Sequence, residues 1–160
     1  MLFRRFQIAA LCLGFLPAVS LFAGQPASLV GSAYAQSASS TAEDAVQLIR
    51  NYYRWINQKK YQGAFNIWEK GEDGNAVNGQ SFEKFAGGFS DTASVSVEIG
   101  VPGEIEGAAG SNYIQIPVVI SAISTDGSQQ KFAGTYTMRS SNMADDKSWY
   151  INSAKVRKVQ

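Results

Sequence analysis

The sequence predicts an α+β domain in which N-terminal helices pack in the concave face of a curved antiparallel sheet. Before residue 90, apolar residues recur three and four places apart, which is the spacing of helices that bury one face. From Thr92 onward, apolar and polar residues alternate, which is the period of strands. Helices that all precede a run of strands favour an antiparallel sheet, because parallel strands need a crossover between each pair.

The first 35 residues are typical of a secretory signal peptide. Arg4 and Arg5 precede an apolar run from Ile8 to Ala23, and Ala33-Tyr34-Ala35 provides a small-x-small cleavage site. An uncleaved membrane anchor is the alternative, but Pro17 interrupts a run that is already shorter than the ~20 apolar residues of a span. We therefore expect cleavage after Ala35.

Cleavage there divides the chain into a signal peptide at residues 1–35, a small-residue linker at residues 36–42 and a domain at residues 43–159. The mature protein is expected to be periplasmic or secreted and to have no membrane span. The only cysteine, Cys12, lies in the signal peptide, so the domain has no disulfide and depends on core burial.

The charge of the domain argues against a nucleic-acid partner. Without Arg4 and Arg5, the 14 basic residues of the chain fall to 12, which face 13 acidic residues and give a net charge of −1. Basic residues cluster only at Lys59-Lys60 and in the tail from Lys155 to Lys158, whereas nucleic-acid surfaces show broad basic stripes. We predict no nucleic-acid binding.

Three helices are predicted in the first half of the domain. Ser40 and Glu43 have the spacing of a capping box, which starts a helix by satisfying its free N–H groups. The first helix has one apolar face, made of Ala45, Leu48, Ile49, Tyr52 and Ile56. A second helix begins at Tyr61 and carries Ala64, Phe65 and Trp68 before Gly71 ends it. A third, at residues 81–89, places Phe82, Phe85 and Phe89 on one side.

The remaining sequence is typical of antiparallel strands. One strand is predicted at residues 93–100, and a short one follows at residues 103–107. A long strand at residues 112–123 puts its even-numbered residues, from Ile114 to Ala122, on one face. Asp126-Gly127 can supply the positive φ angles of a tight hairpin turn. Strands at residues 131–139 and 148–159 complete the predicted sheet.

The stretch "NYYRWINQKKYQGAFNIW", residues 51–68, resembles the opening helix pair of the nuclear transport factor 2-like (NTF2-like, or SnoaL-like) cone family. Members often carry a tyrosine, then an asparagine at a helix end, then a short turn into a second, aromatic-bearing helix. The stretches "YIQIPVVISAIS", "KFAGTYTMR" and "WYINSAKV" are similar to the family's final antiparallel strands. The resemblance covers residues 43–159 and implies a cone-shaped α+β domain.

Within this family, ketosteroid isomerase provides the sharpest comparison. Aligned without gaps, Tyr52 matches its oxyanion tyrosine, Asn57 its helix-end asparagine and Trp68 a core aromatic residue. Ala76 stands at the position of the isomerase's base. Residues 118–121 offer only apolar and hydroxyl groups where the isomerase has its protonated carboxylic acid. The comparison therefore does not carry the isomerase activity over.

Other chemistry is limited by the absence of histidine. Without it the chain cannot build a serine–histidine or cysteine–histidine pair, or nearly any common zinc site. Glu104 and Glu106 share a face and could form a carboxylate pair, but they are more typical of an exposed sheet edge. "GEDGN" and "ADDK" lack the spacing of a calcium loop. We predict no catalytic residue, no metal and no cofactor.

The rings of the helix pair either fill the core or line a pocket. A domain of this size needs several large side chains inside, which favours core filling. In the pocket interpretation the cone is open to solvent at one end, and aromatic residues orient a small apolar ligand through hydroxyl and indole N–H groups. The candidate ligand-binding residues are Tyr52, Trp68, Tyr136 and Trp149. Both interpretations can hold for different rings.

Three classes of function stay open. The first, which the missing histidine and base favour, is an exported non-catalytic domain that binds a small apolar ligand or a partner protein. The second is a small isomerase- or hydratase-like enzyme, which needs an acid inside the cone, such as Glu69, Asp91 or Glu98. The third is an envelope-associated assembly protein that forms a homodimer through the outer sheet face, with candidates Gln115, Val119, Ser121, Thr135 and Thr137.

N-terminal sequencing of protein from the exported fraction tests the signal peptide. We expect the mature chain to begin at Gln36, because Ala33-Tyr34-Ala35 presents small residues to signal peptidase. An intact N-terminus, or protein retained in the membrane, would contradict this prediction.

Overall fold

The computed structural model describes residues 41–143, 145 and 147–159. The predicted signal peptide, most of the linker and Ser40 lie outside the described residues. Within them, helices precede strands, as the α+β prediction requires. The elements are α1 Ala42–Asn57, α2 Tyr61–Asn66, α3 Phe82–Gly87, β1 Thr92–Ile99, β2 Glu106–Ala108, β3 Ser111–Ser124, β4 Gln129–Ser141 and β5 Trp149–Lys158. None of the helices in the described part of the chain is long and apolar enough to cross a membrane.

Helix α1 begins with a capping box one residue later than predicted. The Thr41 hydroxyl accepts a hydrogen bond from the Asp44 N–H at 3.2 Å, and the Asp44 carboxylate accepts from the Thr41 N–H at 2.8 Å. The predicted pair, Ser40 and Glu43, has the same spacing, so the sequence pattern alone does not choose between the two registers. The hydrogen bond from the Thr41 N–H holds the pKa of the Asp44 carboxyl below its ordinary value.

Helix α2 is shorter than predicted, and Trp68 does not belong to it. The helix ends at Asn66. The Ile67 carbonyl accepts from the Ile151 N–H at 2.8 Å, and the Glu69 N–H donates to the Ile151 carbonyl at 3.0 Å. Trp68 therefore forms a parallel bridge with β5, and backbone hydrogen bonding to the sheet replaces continuation of the helix. The spacing of Trp68 in the sequence predicted a helical backbone at this residue, and that prediction was wrong.

The sheet is antiparallel, curved and unclosed, with strand order β1-β3-β4-β5 and β2 beside β3. The predicted hairpin at Asp126-Gly127 joins β3 to β4. Gly127 has φ +85°, and its N–H donates to the Ser124 carbonyl at 2.9 Å. A residue with a Cβ is strained at that φ, so glycine suits this position.

The core lies between the helices and one face of the sheet. The alternation predicted for β3 is present: Ile114, Ile116, Val118 and Ile120 are buried, and the residues between them are exposed or half-buried. On β4 the buried members of the same face are Tyr136, Met138 and Ser140. The other face of β3 and β4 carries the five residues predicted for the outer surface, paired as Gln115 with Thr137, Pro117 with Thr135, Val119 with Ala133 and Ser121 with Lys131.

Asn57, the last residue of α1, ties the helix to β1. Its side-chain amide donates to the Val95 carbonyl at 2.6 Å, and its carbonyl oxygen accepts from the Val95 N–H at 2.8 Å. Next to it, Lys59 has φ 58° and donates to the Thr92 carbonyl. The end of α1 is thus held by side chains against the backbone of β1.

Replacing Asn57 with alanine should lower the free energy of unfolding by about 1–3 kcal/mol, because both hydrogen-bonding groups of Val95 lose their partner. Denaturant unfolding of variant and parent measures the difference. Asn66→Ala is the matched control, since among the described residues the Asn66 amide oxygen accepts only from the exposed Gln62 side chain. Equal losses in both variants would contradict the prediction.

Candidate functional site

A cavity of about 380 Å³ opens between α1, the turn after α3 and the concave face of the sheet. Its deepest part is formed by the buried rings of Tyr52, Tyr53 and Tyr136. Its walls combine polar and apolar surface, and the apolar residues include Phe89, Val95, Ile120, Ala122, Phe132 and Val156. Polar residues line it where it meets solvent, namely Asp91, Thr92, Ser124 and Gln130. Larger depressions, of 450 to 590 Å³, lie along the strands and are lined mostly by short or charged side chains.

The three tyrosines form one cluster. The Tyr53 and Tyr136 hydroxyls are hydrogen-bonded at 2.8 Å. The ring of Tyr52 packs edge-on against Tyr53, with centroids 5.0 Å apart, and against Tyr136 at 6.2 Å. Edge-to-face packing of this kind is favourable between aromatic rings and fixes their orientation. The cluster therefore presents hydroxyl groups from α1 and from β4 to the same cavity.

Tyr53 was not predicted as a site residue. It follows Tyr52 directly, and two adjacent positions on a helix point about 100° apart, so the apolar stripe of α1 omitted it. The structure buries both residues, leaving Tyr53 only 5% exposed. The only sign in the sequence that α1 buries a face wider than the usual stripe is the pair of adjacent tyrosines, Tyr52 and Tyr53.

Burial keeps the cluster neutral. Removal from water raises the pKa of each tyrosine above its ordinary value. Because two phenolates would repel, the pKa of Tyr52 is raised further by Tyr136, and that of Tyr136 by Tyr53. The hydrogen bond that Tyr53 makes to Tyr136 acts in the opposite direction on Tyr53 but does not outweigh burial. At neutral pH all three hydroxyls keep their protons and can donate hydrogen bonds.

The two tryptophans predicted for the pocket have different positions. Trp149 is buried, and its indole N–H donates to the Thr41 carbonyl at 3.0 Å, so it fastens the start of α1 to β5. Trp68 is 94% buried, and among the described residues its N–H has no hydrogen-bond partner. It lies close enough to the Tyr52 hydroxyl to favour the ionised form of that group, although the pair does not have hydrogen-bond geometry.

The carboxylates that a catalytic function would need are not buried in the cone. Glu69 pairs with Arg139 and accepts a hydrogen bond from Asn152. Glu98 is exposed and stands opposite Val119 on the outer face, so it is not the interior acid that the enzyme alternative requires. Asp91 lines the cavity but is exposed.

The position aligned with the isomerase's base, Ala76, is a buried core residue. Glu104 and Glu106 are both exposed and line a groove beside β3. Within residues 41–143, 145 and 147–159, no group of three carboxylate or other metal-ligating side chains could hold a metal ion.

Comparison with solved structures identifies the fold. A proposed scytalone dehydratase from Novosphingobium aromaticivorans superposes with a TM-score of 0.55 at 9% identity, over 74% of this chain and 83% of the other. A nuclear transport factor 2-like superfamily protein from Salmonella enterica gives 0.51 at 12% identity, over 72% and 89%. The chain has the NTF2-like cone fold.

A proposed aromatic ring hydroxylase from N. aromaticivorans is a further NTF2-like neighbour, with a TM-score of 0.54 at 12% identity over 76% of this chain and 93% of the other. At such identities the likeness concerns the fold alone. No protein-family model and no curated protein sequence matches the chain. The fold prediction made from the helix pair and the final strands is confirmed, and ligand contact by the predicted site residues stays a prediction.

Alkaline pH should destabilise the NTF2-like domain through its tyrosine cluster. Above an ordinary pKa of about 10 the unfolded chain loses protons that the folded chain keeps, so stability present below that pH falls as pH rises. The slope should approach about 1.4 kcal/mol per pH unit for each tyrosine. Denaturant unfolding from neutral pH to above pH 10 measures it. Tyr53→Phe should lessen the slope, and an unchanged slope would contradict this assignment.

Proposed function

We propose that this is an exported, non-catalytic domain whose cone cavity binds a small, uncharged and mostly apolar ligand that carries a hydrogen-bond acceptor. The observation that carries the proposal is the group of neutral hydroxyls at the buried end of a cavity whose walls include several apolar side chains. Export rests on the signal peptide expected at residues 1–35.

The size and lining of the cavity support a small-molecule ligand. About 380 Å³ lies within the ~300–1,000 Å³ of typical ligand pockets, which are mostly apolar with a few placed polar groups. The deep part is lined by neutral side chains, and an unpaired charge buried there would lose its hydration without compensation. An uncharged ligand is therefore favoured over an ion.

The hydroxyl and indole groups specify what the ligand should offer. The Tyr53–Tyr136 hydrogen bond uses one hydroxyl proton, which leaves one proton of that pair for another acceptor. Within the described part of the chain, the Trp68 N–H has no hydrogen-bond partner, and the Tyr52 hydroxyl lies beside Tyr136 and Trp68. The cluster therefore has more hydrogen-bond donors than its own hydrogen bonds use. A carbonyl or ether oxygen of a ligand in the cavity would accept a hydrogen bond from a hydroxyl of the tyrosine cluster.

The positions of the carboxylates support a binding role over catalysis. Proton abstraction needs a base within hydrogen-bonding reach of the substrate. Among the described residues that line the cavity, Asp91 is the only carboxylate, and it is exposed where the cavity meets solvent. There it stays in contact with solvent, away from the buried tyrosine cluster.

A second candidate is an isomerase- or hydratase-like enzyme. The observation in its favour is that Asp91 and Tyr52 line one cavity, so a base and a hydroxyl donor could face one substrate. The proposed scytalone dehydratase of the same fold suggests dehydration as the reaction class. Proton-transfer activity that requires both residues would select this candidate.

Two small molecules of similar shape, one with a carbonyl group and one without, test whether the ligand needs a hydrogen-bond acceptor. We expect α-tetralone, a bicyclic ketone, to bind about tenfold more tightly than its hydrocarbon counterpart tetralin, because its carbonyl accepts from the cluster. Titration calorimetry measures both affinities. Tyr52→Phe should remove the preference for the ketone, whereas Tyr113→Phe, outside this cavity, should retain it. Equal affinity for both probes in the parent protein would contradict the proposal.

An assay with a β,γ-unsaturated ketosteroid tests the absence of proton-transfer catalysis. We expect no conjugated product above buffer, since a positioned base typically contributes ~10²–10⁴-fold and none lies in the deep cavity. The parent protein, Tyr52→Phe and Asp91→Asn should then behave alike. Turnover that both substitutions abolish would replace the binding proposal with the enzyme.

A further inference from the structure

The two basic clusters of the sequence lie at the same end of the folded domain. Lys59 and Lys60 follow the end of α1, and the Lys59 ammonium group donates to the Thr92 carbonyl at the start of β1. The antiparallel register places the start of β1, the end of β3, the start of β4 and the end of β5 at one end of the sheet. The basic tail of β5 therefore ends beside Lys131, whose carbonyl accepts from the Val159 N–H at 2.8 Å.

This end of the domain surrounds the opening of the ligand cavity. We call it the basic end and define it as residues 57–60, 89–94, 123–131 and 157–159. The four polar residues that line the cavity where it meets solvent all belong to it. Lys131 lies between Gln130 and Phe132, both of which line the cavity. Arg157 follows Val156, another lining residue. Basic residues thus stand beside the route by which a ligand enters.

Positive charge prevails at the basic end. Its five basic side chains are all exposed, namely Lys59, Lys60, Lys131, Arg157 and Lys158. Its two acidic side chains are Asp91 and Asp126. Within the part of the chain that the structure describes, none of these seven residues forms an ion pair. The excess of positive charge is therefore not neutralised inside the domain.

Negative charge collects at the opposite end, where α1 and β5 begin. The Trp149 indole, at the start of β5, donates to the Thr41 carbonyl and so places the first turn of α1 there. That turn carries Glu43 and Asp44, and Glu106 pairs with the first residues of β3 at the same end. The small net charge of the domain therefore conceals a separation of charge along its length.

Two aliphatic side chains stay exposed at the basic end. Ile123 is 42% exposed and Val159 is 46% exposed. Ile123 and Lys131 line one shallow depression, and Val159 and Arg157 line another. Surfaces that bind lipid headgroups combine basic side chains with exposed apolar ones in this way.

We propose that the basic end binds the surface of a bilayer that contains anionic lipids, with the cavity opening toward the lipid. Its lysine and arginine side chains meet the anionic headgroups, and Ile123 and Val159 enter the boundary between headgroups and acyl chains. The acidic end then points away from the bilayer, so the separation of charge also orients the domain. An acidic protein or polysaccharide would attract the same basic side chains but would leave the two aliphatic side chains in water.

Contact with a bilayer also gives the proposed ligand a route into the cavity. A small, mostly apolar molecule partitions from water into lipid, and an opening that faces lipid receives it without a passage through water. This consequence rests on the proposed binding function. The contact itself rests on charge and on exposed apolar side chains, so experiments can separate the two.

Co-sedimentation with lipid vesicles tests the contact, using the full chain as the cell processes it. We expect roughly tenfold tighter binding to vesicles of equal parts phosphatidylglycerol and phosphatidylcholine than to vesicles of phosphatidylcholine alone. Salt at about 0.5 M should weaken the binding, because it shortens the Debye length. Lys131→Glu combined with Arg157→Glu should weaken it roughly tenfold or more. No binding, or equal binding to both kinds of vesicle, would overturn the proposal.

A matched control makes the same change of charge away from the basic end. Arg50→Glu combined with Lys147→Glu alters the middle of α1 and the loop before β5, and should keep vesicle binding within about threefold of the parent. Circular dichroism checks that both double variants are folded. Equal losses in the two would overturn the proposal.

The ligand and the bilayer are tested separately. Without vesicles, the Lys131→Glu and Arg157→Glu double variant should still prefer α-tetralone over tetralin, because neither residue lines the cavity. A parent protein that binds anionic vesicles but shows no preference for the ketone would support the bilayer contact and contradict the ligand proposal alone.

Ile123→Ser tests whether the partner is a lipid. It should weaken vesicle binding about fivefold, since one apolar side chain no longer enters the bilayer. Binding to dextran sulfate, an acidic polymer, should not respond to it. Ile105→Ser is the matched control, because Ile105 is 41% exposed and lies outside the basic end. If Ile123→Ser leaves vesicle binding unchanged and dextran sulfate binds as tightly as the vesicles, the basic end binds acidic polymers and the proposal is overturned.

An environment-sensitive fluorophore tests the orientation. In a Cys12→Ser background, we attach it to Ser128→Cys, in the turn between β3 and β4, or to Glu104→Cys, before β2. Both positions are exposed. Anionic vesicles should raise the emission of the label at residue 128, which enters the headgroup region, and leave the label at residue 104 unchanged. The reverse pattern, or an equal response at both positions, would overturn the proposal.

Discussion

This structure depends on one constraint, which is that the polar atoms of its buried aromatic rings need hydrogen-bond partners. Among the described residues, five of the seven buried aromatic side chains carry a hydroxyl or an indole N–H. Each of these atoms has lost water and requires a partner. Trp149 finds one in the backbone before α1, and Tyr53 and Tyr136 find one in each other. The Trp68 N–H has no partner among the residues that the structure describes, and a cavity opens beside the ring of Tyr52.

This constraint connects the fold to its chemistry. Phenylalanine and leucine side chains could fill the cone without any hydrogen-bond partner. Tyrosine side chains instead present hydroxyl donors to a ligand in the cavity. Burial keeps the hydroxyls protonated, and the one carboxylate among the described residues that line the cavity, Asp91, is exposed to solvent. Neutral donors orient an oxygen atom well but do not remove a proton. This difference underlies our proposal that the cavity binds a ligand.

The sequence predicted local features more reliably than tertiary ones. The order of helices and strands, the alternation of β3 and the turn at Gly127 follow from side-chain period and backbone preference, which are local. Trp68 was misassigned because a hydrogen-bonded bridge to Ile151, more than 80 residues away, overrides helical spacing. Tyr52 and Tyr136 could be proposed as neighbours only through the family resemblance, and Tyr53 was missed because its burial depends on how deeply α1 sits in the sheet.

The double hydrogen bond of Asn57 also bears on the edges of the sheet. An unclosed sheet exposes unpaired N–H and C=O groups along its outermost strands, which invite strands of other molecules and lead to aggregation. On β1 the amide of Asn57 occupies the outward-facing groups of Val95, as a neighbouring strand would. On β5, Ile67 and Glu69 occupy those of Ile151. With both edges partly blocked in this way, further molecules are hindered from extending the sheet strand by strand into fibrils.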